Sequence, residues 1–302
     1  MRVVIALGGN ALLKRGEVMS AENQLHNVKH AASAIGQIVA DGHDVIVTHG
    51  NGSQIGLLAL QNATLEKGQA QSLDVMGAET DGMIGYMIEQ ELSNVLSDES
   101  EIAVLLTQIE VDPSDPAFKI PTKPIGPIYS KNEAEVLAAR NGWQIMPDGA
   151  HYRRAVASPQ PQRILELNAI RLLVEHGVTV ICVGGGGIPV VRCNDGAYCG
   201  VEAVIDKDHA SRLLANEIKA GALIMLTDID GVYLEWDTAQ RRRIQRTTPA
   251  ELKSNAFAAG SMGPKVQAAI DFVNNGGDFA GIGRLEDTSE ILKLHSGTII
   301  AN

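Results

Sequence analysis

Along the chain, short runs of valine and isoleucine that are apolar at every position alternate with longer stretches in which apolar residues recur every third or fourth place. The first run, Val3-Val4-Ile5-Ala6-Leu7, and another at residues 45–48 read as strands buried on both faces, because a strand with one wet face would alternate instead. Between them Leu25, Val28, Ala32, Ile35 and Val39 make one apolar stripe and predict a helix that ends at Asp41-Gly42. A second helix is predicted over residues 73–96, and further buried strands at 102–106, 178–183 and 222–226. This alternation predicts an α/β fold with an open, mostly parallel central sheet and helices on both faces.

The rhythm breaks between residues 112 and 162, where prolines crowd (Pro113, Pro116, Pro121, Pro124, Pro127). There "WQIMPDGAHYRRAVA" alternates and predicts a β-hairpin turning at Asp148-Gly149. Trp143, Tyr152 and Val156 fall at strand-like intervals, so the segment reads as a protruding β-rich subdomain, a candidate lid, and not as a linker.

The strands end in an unusual way. "ALGGN", "HGNGSQ" and "VGGGGIP" each close an apolar run with glycines. Such turns bring bare backbone N–H groups close to an anion at the carboxyl edge of a parallel sheet, and Asn10 and Asn51 add amide donors. No Gly-x-x-x-x-Gly-Lys-Ser/Thr occurs, which excludes a Walker-type NTPase. Gly50-x-Gly52-x-x-x-Gly56 is only a loose likeness of a dinucleotide fingerprint.

Composition sharpens the question. At 302 residues and 45% hydrophobic content the chain suits a globular protein near the size where one core stops growing. No apolar stretch reaches the roughly 18 residues of a membrane span, and the N-terminal run is too short for a signal peptide, so a cytoplasmic protein is expected. Three cysteines (Cys182, Cys193, Cys199) without Cys-x-x-Cys spacing predict neither disulfides nor a zinc site. A net charge of -11 argues against nucleic acid and anionic membranes as partners. It also means that an anionic substrate needs cations gathered locally. Lys123 in "PTKPIGP", Lys207 in "VIDKDHA" and Lys265 in "GSMGPKV" stand at element boundaries and are the candidates. Arg241-Arg242-Arg243 reads as a solvated turn, and His49 and His209 as hydrogen-bonded neighbours of the site.

Together the blocks "ALGGNALL", "HGNGSQIG", "PTKPIGP", "GGGGIPVV", "EAVIDKD" and "GSMGPK" resemble, in order and spacing, the carbamate kinases of the amino-acid kinase family. "LTDIDGVY" is similar to the nucleotide-side strand of the wider family. Acetylglutamate, aspartate and uridylate kinases typically carry a lysine two residues before the first glycine turn. This chain has Ala6 there, and the resemblance implies that Lys123 supplies the charge from the protruding segment. It implies a single α/β/α unit over residues 1–302, with a substrate lobe at 1–206, the protruding subdomain at about 112–162 and a nucleotide lobe at 207–302. Gly8, Gly9, Asn10, Gly50, Asn51 and Gly52 would surround carbamate and the transferred phosphoryl group. Lys123, Lys207 and Lys265 would neutralise phosphoryl oxygens, with Asp208 orienting the lysines or the magnesium shell. Gly185, Gly186, Thr227, Asp228, Asp230, Tyr233, Met262 and Gly263 would bind nucleotide. Mg²⁺ would be held mainly by the phosphates of ATP or ADP, with no direct protein ligand, and the chain would form a homodimer. Ser53 departs from the proline usual in the family. The alternatives are another small-acid kinase on the same scaffold or a non-catalytic nucleotide sensor.

Overall fold

The structure, a computed structural model, describes the chain except residues 14–16, 19, 66–70, 237, 256 and 258–261; of Asn10 and Ala11 it describes the backbone only. An eight-stranded sheet forms the centre, in the order Arg246–Thr247, Thr298–Ile300, Phe279–Arg284, Ala222–Thr227, Arg2–Leu7, Asp44–His49, Thr179–Ile181, Ile102–Val104. The strands from Phe279–Arg284 to Ile102–Val104 run parallel, and Thr298–Ile300 and the edge strand Arg246–Thr247 run the other way. The apolar strands divide their side chains by parity. Val3, Ile5 and Leu7 join Val28, Ile35, Ile84 and Ile88 from the helices Ala21–Ala40 and Leu73–Ser93. Val4 and Ala6 face the other way, onto Leu214 and Ala269 of the helices Lys207–Glu217 and Met262–Asn274. Each fully buried side chain of this size stabilises by about 1.5–3 kcal/mol, which is why continuous apolar runs became the middle of a three-layer stack.

Element ends moved where the backbone had other partners. The run at 102–106 stops pairing at Val104 and leaves Leu106 half exposed, while the Thr107 hydroxyl accepts a bond from the Val183 N–H at 3.0 Å. The run at 178–183 pairs only over Thr179–Ile181, because Val183 turns left-handed (φ 55°) to open the third glycine turn.

A four-stranded side sheet sets Gln108–Val111 between Ile188–Arg192 and Pro161–Ile164. The chain leaves for the protruding arm through the first of these strands and returns through the last. The arm is a three-stranded antiparallel sheet, Lys123–Tyr129, His151–Val156 and Gln144–Asp148. Asp148 pairs with His151, so the hairpin turn is Gly149-Ala150, one residue later than expected. The arm also holds a helix, Lys131–Asn141, absent from the sequence reading; Ser130 and Glu133 cap it reciprocally. The arm is docked. A Cβ on Gly56 would stand 1.8 Å from Gly126 Cα, and Ile125 and Val156 pack into one cluster with Ile55, Leu73 and Met76.

The expectation that no disulfide forms is corrected. Cys193 and Cys199 form a disulfide, because the hairpin between Ile188–Arg192 and Tyr198–Gly200 folds the chain back and brings their Cα atoms to 6.3 Å. Among the described residues no helix is long and apolar enough to cross a membrane.

Candidate active site

The glycine turns follow three neighbouring strands, Arg2–Leu7, Asp44–His49 and Thr179–Ile181, and border a cavity of about 710 Å³. Close approach dictates glycine at several positions. A Cβ on Gly8 would stand 2.6 Å from the Leu226 carbonyl oxygen, and one on Gly50 would stand 3.1 Å from Lys207 Cδ. Asn51 is buried and donates from Nδ2 to Thr80 Oγ1 at 2.8 Å, anchoring its turn to the helix Leu73–Ser93. Gly185 packs onto that Asn51 amide and Gly186 onto the Ile205 carbonyl, so the third turn buttresses the second. His49 lies wholly buried beneath, 3.4 Å from Asp81, where a Cβ on Gly184 would strike both side chains. Of Asn10 only the backbone is described, in the turn of helix Gly9–Leu12.

The charged groups converge from three distant segments. Lys207 and Asp208 open the helix Lys207–Glu217, capped by Asp206, whose Oδ1 accepts the Asp208 N–H at 2.9 Å. Asp208 Oδ1 accepts from Lys207 Nζ at 2.6 Å and its Oδ2 from Lys265 Nζ at 2.9 Å. Lys265 reaches this point from the helix Met262–Asn274, and Lys123 comes from the first strand of the arm to meet Asp206 Oδ2 at 2.6 Å. The result is one alternating cluster: Lys123, Asp206, Lys207, Asp208, Lys265.

Burial opposes the charge on Asp208, yet Lys207 and Lys265 outweigh it and hold the carboxyl below the usual carboxylate range. Burial pushes the Lys207 ammonium down to about 8, and the nearby Lys265 charge adds to that against the pull of Asp208. For Lys265 burial is overcome by the Asp208 carboxylate, and its pKa is raised. Burial lowers the His209 pKa, against the pull of Asp206 and Asp208. That favours a neutral imidazole.

The rest of the wall comes from Thr227, Asp228 and Ile229 after the strand Ala222–Thr227, with Tyr233, Trp236 and Met262. Gly186, Asp230 and Gly263 are not among the described residues lining the cavity. Asp230 instead accepts from the Tyr233 hydroxyl at 2.9 Å and pairs with Arg243 at 2.8 Å. Arg241 stacks 5.2 Å from the Tyr233 ring centre and 5.1 Å from that of Trp236. Arg241 and Arg242 are exposed, as a solvated turn predicts, while Arg241 and Arg243 also brace an aromatic wall.

Asp206, Arg153 and Trp236 are among the lining residues that escaped the sequence reading. Asp206 was legible as the first half of the Asp-Lys-Asp triplet and as an N-cap. Arg153 sits on the arm, its Nε donating to the Gly126 carbonyl at 3.0 Å, and nothing local distinguishes it from Arg154.

Cations over amide-lined turns at the edge of a parallel sheet suit transfer of a phosphoryl group, and comparison with known proteins agrees. Residues 1–278 match the amino acid kinase family. The carbamate kinase of Rhizobium meliloti (strain 1021) is 53% identical over 304 residues, covering 100% of this chain and 94% of that protein. The carbamate kinase of Giardia lamblia bound to citric acid superposes with a TM-score of 0.93 at 40% identity, over 99% of this chain and 98% of that one. The same enzyme bound to AMP-PNP gives a TM-score of 0.89 at 40% identity, over 99% and 98% of the two chains. With the fold, the order of the blocks and the full-length identity all in agreement, the chain belongs to the amino acid kinase family, as a kinase of its carbamate kinase branch.

Proposed function

We propose that this kinase transfers a phosphoryl group reversibly between carbamoyl phosphate and MgADP, giving carbamate and MgATP. The observation that carries the reading is the alternating lysine–aspartate cluster set against the Gly8 and Gly50 turns. Carbamate is already an anion, so its oxygen needs no general base, and catalysis reduces to alignment and charge neutralisation. A unit negative charge 4 Å from a lysine ammonium is stabilised by about 4 kcal/mol at an effective dielectric near 20. The cluster thus overcomes locally the repulsion of a chain with net charge -11.

In this reading residues 1–206 hold the small acid and 207–302 the nucleotide, whose base and ribose lie along Thr227, Tyr233, Trp236 and Met262. The Gly185 turn supports Asn51 and the acid end. Magnesium arrives with the nucleotide and offsets charge on its phosphates. The two central carboxylates, Asp206 and Asp208, already hold lysine ammoniums at 2.6–2.9 Å, which fits an ion held by phosphate oxygens. Exposed Val75, Met83 and Tyr86 on the helix Leu73–Ser93 support a homodimer.

The direct test couples ATP formation from ADP and carbamoyl phosphate to a reporter enzyme. Sustained turnover is expected, and its absence in folded protein would sink the reading. The Lys207 ammonium also sets a pH limit. With a pKa of about 8, it loses its proton as pH rises through that value, and only the protonated form neutralises phosphoryl oxygens. In the free enzyme kcat/KM is therefore expected to hold below pH 8 and fall roughly tenfold per unit well above it. In Lys207→Arg, which stays protonated, that alkaline limb should vanish. A flat wild-type profile to pH 10 removes Lys207 from the charge balance.

A further inference from the structure

Asp206 uses its two carboxylate oxygens for two different tasks. Oδ1 caps the helix that begins with Lys207 and Asp208, by accepting the Asp208 N–H at 2.9 Å. Oδ2 takes the Lys123 ammonium at 2.6 Å, and both side chains are 21% exposed. One carboxylate therefore ties the lysine of the arm to the end of the helix bearing the other charged groups. The backbone of Lys123 has little freedom, since its strand pairs with Val156 and docks through Gly126 on Gly56. Its long side chain has much more. A second cavity of about 180 Å³ opens beside Lys123 and Asp206, bordered also by Ser158, Gln160 and His209. Lys123 thus stands between two spaces, and without a fixed counter-charge its ammonium can swing away from the reaction cavity.

The geometry points to Asp206 as the positioning residue for Lys123: a counter-ion that holds the ammonium at the acid end of the reaction cavity until a phosphoryl oxygen takes it over. This rests on the proposed phosphoryl transfer and adds a residue that acts through another. Burial opposes the charge on Asp206, but Lys123 and Lys207 hold its carboxyl far below the usual range. The anchor is therefore present across the whole physiological pH span.

The test is a double-mutant cycle joined to a spectroscopic one. Asp206→Asn keeps an amide oxygen for the helix cap and removes the charge; Asp206→Ser caps equally well and is too short to reach Lys123. Each is expected to lower kcat/KM for carbamoyl phosphate about 10- to 100-fold, the scale of a misplaced catalytic group, with KM for ADP unchanged. In a Lys123→Ala background, adding Asp206→Asn should change kcat/KM by less than about twofold, because the group it positions is gone. A full additional loss there, or unaltered kcat/KM in both single variants, overturns the assignment. Independently of turnover, the ¹⁵Nζ signal of Lys123 in substrate-free protein, identified by its loss in Lys123→Ala, should move or broaden away in Asp206→Asn. An unchanged signal overturns the anchor. Should the wild type make no ATP, the functional reading fails while the Nζ signal still decides the anchor.

Discussion

Replacing Lys265 by alanine is expected to lower kcat by roughly 10² to 10⁵, from the scale of one lost electrostatic donor to that of a lost phosphoryl-stabilising cation. Lys265 is buried and bonded to Asp208, which also holds Lys207. Its loss removes the one positive charge by which the three lysines of the cluster exceed its two carboxylates, and leaves no surplus cation for the phosphoryl oxygens. Lys207→Ala should act on the same scale. Asp208 retains one lysine in each single variant, so neither leaves a buried carboxylate unpaired, and melting temperatures should change far less than rates. Steady-state assays on both purified variants, with circular dichroism to confirm folding, check this. Near-normal turnover in both would exclude them from the mechanism.

Gly56→Ala is expected to abolish most activity by a different route. The new Cβ would lie 1.8 Å from Gly126 Cα and 2.0 Å from Gly126 N. Both contacts are backbone, so no side-chain rotation relieves them. Overpacking of this kind costs about 1–3 kcal/mol or more, and here the relief is to push the strand Lys123–Tyr129 off the helix Gly52–Asn62. Lys123 moves with its strand. A displacement near 1 Å at a catalytic cation is enough for a loss of about 10² in kcat/KM. Gly77→Ala serves as the control, since no atom beyond its own helix lies within 4 Å of its Cβ position. It should keep wild-type rates and gain about 0.5–1 kcal/mol in denaturant unfolding. Equal activity in the two variants would show that arm docking does not place Lys123.

The same pair of glycines shows where the arm meets the body. A lid was legible as an excursion rich in proline and alternating residues, but its contact with the body was not. Gly126 takes a left-handed backbone (φ 77°) and meets Gly56 across 70 residues of sequence. The helix Lys131–Asn141 was within reach of sequence reasoning, because Ser130 and Glu133 stand at capping-box spacing. Its weak apolar face hid it. The disulfide was hidden for another reason, since an odd cysteine count says nothing about which two a hairpin brings together.

What the sequence by itself determined was the layered fold and the identity of the charged groups. Uninterrupted Val and Ile runs have no stable place except a sheet covered on both faces, and glycine at strand ends is demanded by backbone approach wherever the chain folds that way. Lys123, Lys207 and Lys265 stood out from local context, and Asp208 from the resemblance to the carbamate kinases. Only the tertiary structure decided their arrangement: that Asp208 bridges two of the lysines, that Asp206 holds the third, that Asp230 faces away toward Arg243, and that Gly185 supports Asn51. The physical reason is range. Burial pattern and turn chemistry act over a few residues and leave their mark in the order of the letters. Charge pairing acts over a few ångströms between segments far apart in the chain, and it is fixed only once packing has set those segments side by side.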